Sequence, residues 1–194
     1  MALRSRRVLE GLRGTYARAL YRAVGLDGGA LARPLIALVN SWSEFVPGHA
    51  HLRRLAGYVR EGIRDAGGTP VEFNTVAACD GIAQGEGMHY ILPLRDVVAA
   101  SVELTVQAHQ LDGMVCLCTC DKIVPGMLLA AARLDLPTVF LTGGVMPPAR
   151  RGGGWLVASD VKEAVGEFLA GRISEEELRE VEEGACTGCG GCNM

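Results

Sequence analysis

The chain has 194 residues, 49% hydrophobic, 5% aromatic and 21% charged, with a net charge of −3. That is enough apolar side chain for one sizeable core or two small ones, built from Val, Leu, Ile, Ala and Met rather than from rings, and it excludes a disordered chain. Charges of both signs are dispersed, so no basic stripe marks a nucleic-acid partner, and no uninterrupted apolar run is long enough to span a bilayer.

Met1 to Arg7 is basic, but no signal-type apolar segment follows, because Gly11, Arg13, Arg18 and Arg22 interrupt the stretch. Residues 6–24 carry apolar side chains at helical spacing and predict one helix ending before Gly25. Pro34 opens Leu35-Ile36-Ala37-Leu38-Val39, a short apolar run that reads as a buried strand ending at Asn40-Ser41-Trp42. Residues 49–66 predict an amphipathic helix closed by Gly67-Gly68, and Thr69 to Thr75 alternates as a second strand. The Gly-rich stretch 76–92 carries Cys79, Asp80, Glu86 and His89 and reads as a functional loop. A helix over 93–110, a strand at 113–117, a helix over 125–134 and a strand at 137–141 follow. Residues 148–154 read as a Gly/Arg linker with Gly152-Gly153-Gly154 flexible, and 159–171 and 174–183 as two further helices, the second acidic and exposed.

Apolar strands alternating with helices predict an α/β fold, a doubly wound, mostly parallel sheet with helices on both faces. The expected organisation is a helical segment over 1–30, an α/β core over 31–146, and a linker, helices and terminal cysteine run over 147–194 within the same domain. In such sheets ligands bind outside the carboxyl ends of the strands. Asn40 to His51, Cys79 to His89 and Cys118 to Lys122 should therefore converge on one edge.

Seven cysteines are an odd number, which argues against a complete disulfide framework and for a cytosolic, reducing location where thiols are ligands or buried apolar groups. Cys118-Thr119-Cys120-Asp121-Lys122 puts a thiolate, a hard oxygen ligand suited to Mg²⁺ and a lysine side by side. Lys122 could act as a base or be carbamylated into a further oxygen ligand. The plainer alternative is a buried free cysteine beside a solvated Asp-Lys pair. Cys186, Cys189 and Cys192 have metal-ligand spacing, and the glycines among them would let backbone N–H groups approach sulfide. A zinc knot or a tail of idle thiols is the alternative. Three thiolates leave a four-ligand cluster one short, and Cys120 is the natural addition. Cys79-Asp80-Gly81 offers a second carboxylate or simply a turn, and Glu86 and His89 may be no more than solvated side chains in the reading of the loop. His49 and His51 point in different directions on a helix, which favours one polar contact and one surface residue over a joint metal site. Gly143-Gly144 is too little for a phosphate loop, and Ser41, Ser43 and Ser101 lack a nucleophile-elbow sequence.

With these residues assembled, the chain resembles the N-terminal part of the dihydroxy-acid dehydratase / 6-phosphogluconate dehydratase family. The stretches that carry the resemblance are Pro34 to Arg53 (with NSWxxxxPGH), Glu72-Phe-Asn-Thr-Val, Asp80-Gly-Ile-Ala, Gly87 to Arg95, Cys120-Asp-Lys-Ile-Val-Pro-Gly-Met127 and the terminal CTGCGGCNM. The resemblance implies a hydro-lyase of the branched-chain amino-acid biosynthesis type, converting a 2,3-dihydroxy acid or sugar acid to a 2-keto acid by Lewis-acid catalysis with an iron–sulfur cluster and Mg²⁺. It implies Cys120 and Cys192 as cluster ligands, and Asp80, Asp121 and Lys122 as the Mg²⁺ positions, with Lys122 the candidate carbamate.

The chain departs from that pattern in two ways. Family members with a 2Fe–2S cluster carry cysteine at the position of Gly48, so the resemblance implies a 4Fe–4S cluster here, its third thiolate from Cys186 or Cys189. Family chains are also much longer, and their C-terminal domain contributes the serine base and further Mg²⁺ and substrate contacts. The expectation is a fragment, one subunit of a split enzyme or a remnant, inactive alone. It would bind a small hydroxy-acid substrate and no nucleic acid or membrane, and would associate with itself or with a separate C-terminal chain. A non-catalytic metal-binding, assembly or regulatory subunit is the alternative.

Overall fold

The computed structural model describes residues 3–193; Met1, Ala2 and Met194, part of the expected terminal segments, lie outside the described residues. Three short helices come first: α1 (Arg6–Leu9), α2 (Thr15–Ala23) and α3 (Gly28–Leu31). The single helix expected over 6–24 is thus broken. Gly11 takes a positive φ of 63°, and a side chain at Gly14 would run into the Leu9 carbonyl. Apolar spacing continues through the break, which is why periodicity alone missed it.

The core is β1 (Leu35–Asn40), α4 (Leu52–Asp65), β2 (Thr69–Asn74), α5 (Met88–Ala108), β3 (Gly113–Cys118), α6 (Ile123–Leu134) and β4 (Thr138–Thr142). The four strands form one parallel sheet in the order β2-β1-β3-β4, with Asn40 beside both Asn74 and Leu117, and Cys118 beside Thr142. Pleating sends alternate side chains to opposite faces. Leu38 and Leu117 meet Leu52 and Ala56 of α4 on one face. Leu35, Ala37, Val39, Met114, Cys116 and Cys118 meet α5 and α6 on the other, with Leu9 and Leu31 closing that layer. Both faces are covered, as in a doubly wound sheet. The chain leaves β1 toward β2 on one side and β3 toward β4 on the other, so the topological switch point of the sheet lies between the carboxyl ends of β1 and β3.

Two local expectations fail. Helix α5 starts at Met88, inside the stretch read as loop, and Pro93 lies within it on the exposed side. A proline in the second turn removes one backbone bond without stopping a helix whose inner face is packed. The expected linker at 148–154 contains a hairpin, β5 (Ala149–Arg151) with β6 (Gly154–Leu156). Gly152 and Gly153 both adopt positive φ, 55° and 85°, which a tight two-residue turn requires. The hairpin is followed by α7 (Ala158–Leu169) and by α8 (Glu175–Gly184), which Ser174 and Glu177 cap reciprocally. Leu156, Ala164, Val181 and Ala185 form their separate small core. No helix among the described residues is long and apolar enough to cross a membrane.

Candidate metal centre

The three polar segments meet at the carboxyl edge of the sheet. The backbone leaving β3 passes through Cys120, whose φ of 68° is left-handed, before Lys122 caps α6. A non-glycine residue there costs about 1–2 kcal/mol and persists only when its surroundings hold it. They do so on two sides. Gly48 lies against the cysteine so closely that an ideal Cβ at position 48 would stand 2.7 Å from Cys120 Sγ. Thr119 Oγ1 accepts the Gly143 N–H at 3.1 Å, tying the turn to the end of β4.

Lys122 Nζ donates to Asp80 Oδ2 at 2.7 Å and to Asp121 Oδ2 at 2.6 Å. Asp80, from the loop after β2, and Asp121, from the turn after β3, are thus joined through one cation. The Lys122 amine is held above its ordinary range, first by the hydrogen bond to Asp121 and then by that to Asp80. The Asp121–Lys122 pair is itself exposed, as a solvated Asp-Lys pair would be, and the same cation also reaches Asp80 from a different loop in a half-buried contact. Glu86 and His89, in the same stretch as Asp80, lie exposed.

The terminal cysteine run is anchored to the same edge. Gly190 N–H donates to the Pro47 carbonyl at 3.0 Å, Gly191 N–H to Gly144 at 2.9 Å, and Met146 N–H to Gly191 at 2.8 Å. Beyond the run, buried Asn193 accepts from Ala158 N–H through Oδ1 at 3.0 Å. The N–H groups of Gly190 and Gly191 are therefore spent on backbone carbonyls, not aimed at a sulfide. Glycine is needed at 190 for a different reason: φ is 152°, and a Cβ would strike the Met146 nitrogen and lie 2.7 Å from the Val145 carbonyl carbon.

Cys79 and Cys192 both bear on the charge of the Cys120 thiol, and Cys79 and Cys186 on that of Cys192. Burial, then Cys79, Cys192, Asp121 and Asp80, push the Cys120 thiol up to about 12. Burial and then Cys79 raise Cys192 as well. Cys186 and Cys189 are exposed, whereas Cys116 and Cys118 are buried in the main core, pushed up to about 12 and about 11 by burial. Cys79 was weighed in the sequence only for its turn with Asp80; the repeated dipeptide Cys79-Asp80 and Cys120-Asp121 is the signal that marks it.

His49 is fully buried, its Nδ1–H donating to the Ser41 carbonyl at 2.7 Å, with Ser41 Oγ 2.9 Å away. A carbonyl can only accept, so the proton sits on Nδ1 and Nε2 keeps its lone pair. Burial lowers the imidazole to about 4, against the backbone groups of Ser41 and Thr119 and with help from His51. Ser41 Oγ itself donates to Leu117 O at 3.1 Å and is buried, so this Ser-His pair braces the turn rather than facing a substrate. His51 Nε2–H donates to Gly143 O at 2.7 Å, so it too makes a polar contact in place of the expected surface position.

The donors fit the cofactors that the sequence implies. Soft thiols gather on one side, and on the other two carboxylates already share a cation, the Lys122 ammonium, as they would share a divalent ion. Among the described residues no three His, Cys, Asp or Glu side chains converge on a single ion. Ligands of a multi-iron cluster bind different irons, so their sulfurs need no common point.

Residues 33–194 match the family model described as dihydroxy-acid/6-phosphogluconate dehydratase N-terminal. Dihydroxy-acid dehydratase of Methanospirillum hungatei is 54% identical over 90% of this chain and 32% of its own length. Those of Pyrococcus abyssi and Caldicellulosiruptor bescii are 49% and 50% identical, each over 98% of this chain and 35% of their own. The chain thus spans about a third of the length of the curated relatives it matches.

Proposed function

The chain belongs to the dihydroxy-acid/6-phosphogluconate dehydratase family, and on that premise we propose that it is the cofactor-bearing part of a cytosolic hydro-lyase that turns a 2,3-dihydroxy acid or sugar acid into a 2-keto acid. What supports the proposal is that the Asp80–Lys122–Asp121 ion pairs, the turn that carries Cys120 and the docked segment before Cys192 share the carboxyl edge of the sheet. When bound, an iron–sulfur cluster, of the 4Fe–4S type in this reading, and Mg²⁺ supply Lewis acidity toward the leaving 3-hydroxyl and toward the carboxylate and 2-hydroxyl.

The chain's own groups have defined tasks in this scheme. Cys120 and Cys192 give up their protons and hold the cluster as thiolates. Asp80 and Asp121 supply hard oxygen ligands. Lys122 is held as an ammonium by those same carboxylates. With Asp80 and Asp121 engaged by a divalent ion, Lys122 would lose the partners that hold its proton; its neutral amine, having released that proton to solvent, would add carbon dioxide with loss of a second proton to give a carbamate oxygen donor. The left-handed turn at Cys120 and the buried His49–Ser41 brace keep the thiol and Asp121 in position. The C2 proton requires a base that we assign to a part of the enzyme outside these residues. Exposed Val139 and Leu141 on the edge strand β4 offer an apolar face for a second copy or that other part.

The test is anaerobic purification of the chain with iron, sulfide and Mg²⁺ analysis, followed by assay on 2,3-dihydroxy and sugar acids, alone and with the remainder of a relative's chain supplied in trans. Iron and sulfide with charge-transfer absorption, and turnover only after the addition, are the expected results. Zinc alone, without that absorption, refutes the proposal in favour of a non-catalytic metal-binding role.

A further inference from the structure

We propose that Cys79 is the third thiolate of the cluster, beside Cys120 and Cys192, and that Cys186 and Cys189 are not ligands. This rests on the cluster reading above and deepens it. The loops after β2 and β3 each present a Cys-Asp dipeptide, and the two aspartates are clamped to one ammonium at 2.7 and 2.6 Å. Each cysteine immediately precedes one of these aspartates, so the ion pairs bring the two Cys-Asp dipeptides to the same edge. Cys192 completes the set, fixed through Gly190 and Gly191 on one side and Asn193 on the other.

Cys79 is buried away from the main core. Cys116 and Cys118 belong to the main core, as buried free cysteines ordinarily do. Cys79 is 9% exposed yet belongs to none of the three apolar clusters among the described residues. Its thiol neighbours are instead Cys192 and Cys120. Position 48, on the other side of Cys120, has no room for a further ligand: its Cβ would already crowd Cys120 Sγ. Cys186, Cys189 and Cys192 are all exposed in the metal-free chain, but of the three only Cys192 lies between anchored neighbours, Gly191 and Asn193. Each of the three thiols would release one proton to solvent on binding the cluster as a thiolate.

The experiment is anaerobic reconstitution of the full chain with ferrous iron and sulfide, comparing wild type, Cys79→Ala, Cys120→Ala, Cys186→Ala and Cys189→Ala. The readouts are iron and sulfide per chain, visible charge-transfer absorption and Mössbauer spectra, with circular dichroism to verify folding. Cys79→Ala should lose cluster as Cys120→Ala does, by about tenfold or more in iron retained, since even changes behind the ligands cost about 10–100-fold in metal affinity. Cys186→Ala and Cys189→Ala should match wild type. Full iron in folded Cys79→Ala, or loss of cluster in Cys186→Ala or Cys189→Ala, overturns the assignment. If Cys79→Ala does not fold, the near-isosteric Cys79→Ser takes its place under the same criteria. A wild-type chain that accepts no iron and sulfide defeats the cluster reading itself, a result distinct from a loaded wild type with an equally loaded Cys79→Ala.

Discussion

Gly126, in the Cys120–Met127 motif, is where helices α5 and α6 touch most closely. A Cβ built there would lie 2.8 Å from the Arg95 carbonyl oxygen and 2.9 Å from both Cβ and Cγ1 of Val98. Val98 is fully buried and Arg95 O is backbone, so neither can swing aside as a flexible side-chain end would. Gly126→Ala therefore combines two opposed effects. Alanine in a helix interior gains about 1 kcal/mol over glycine, and forcing a methyl into a filled interface costs about 1–3 kcal/mol. The net is a loss of up to about 2 kcal/mol, or a fall of up to about 8 °C in Tm for a chain of this size. The control is Gly62→Ala in α4, where nothing lies within 4 Å of the new Cβ and the propensity gain stands alone. Thermal melts of the full chain should move in opposite directions for the two variants. Because α6 starts directly after Lys122, Gly126→Ala should also reduce iron uptake. If Gly126→Ala melts at or above wild type, the close approach does not constrain the helices and the reasoning is wrong.

Three further outcomes follow from the site. His49 should stay neutral until about pH 4. An unfolded histidine binds its proton near 6.5, so folding stability should fall as pH drops from about 6.5 to about 4, by up to about 3 kcal/mol from this residue; an NMR titration placing the His49 imidazole near 6.5 would remove the effect. Gly190→Ala should release the cysteine tail, read as faster hydrogen exchange at 186–193, because its Cβ meets the backbone of Met146 and Val145; unchanged exchange would show that the tail is not docked as described. Iodoacetamide at mildly alkaline pH should modify exposed Cys186 and Cys189 in the metal-free chain while sparing Cys116 and Cys118, whose thiols are buried and raised; mass spectrometry of the labelled peptides decides, and early labelling of Cys116 would contradict the packed core.

The strand–helix alternation is local information, since buried parallel strands must be apolar throughout and their helices must show one apolar stripe. That is why β1 to β4 and α4, α6, α7 and α8 lie close to their expected bounds. The convergence of residues 40–51, 79–89 and 118–122 also follows from sequence, because parallel strands joined by crossovers place all their carboxyl ends on one edge. Local signals failed where the deciding contact is distant or the pattern degenerate. The break between α1 and α2 depends on a glycine turn within continuous apolar spacing. The β5–β6 hairpin reads as linker because Gly-Gly serves both. The left-handed Cys120, the buried brace of His49 and Ser41, and the ammonium shared by Asp80 and Asp121 arise between residues far apart in the chain. Cys79 carries the same lesson: in sequence it is one cysteine before a turn. Only when β2 and β3 are set on either side of β1, and Lys122 draws the two aspartates together, does the Cys79-Asp80 dipeptide come to the same edge as Cys120-Asp121. Periodicity encodes which face of an element is buried, but proximity between loops is a property of the folded sheet.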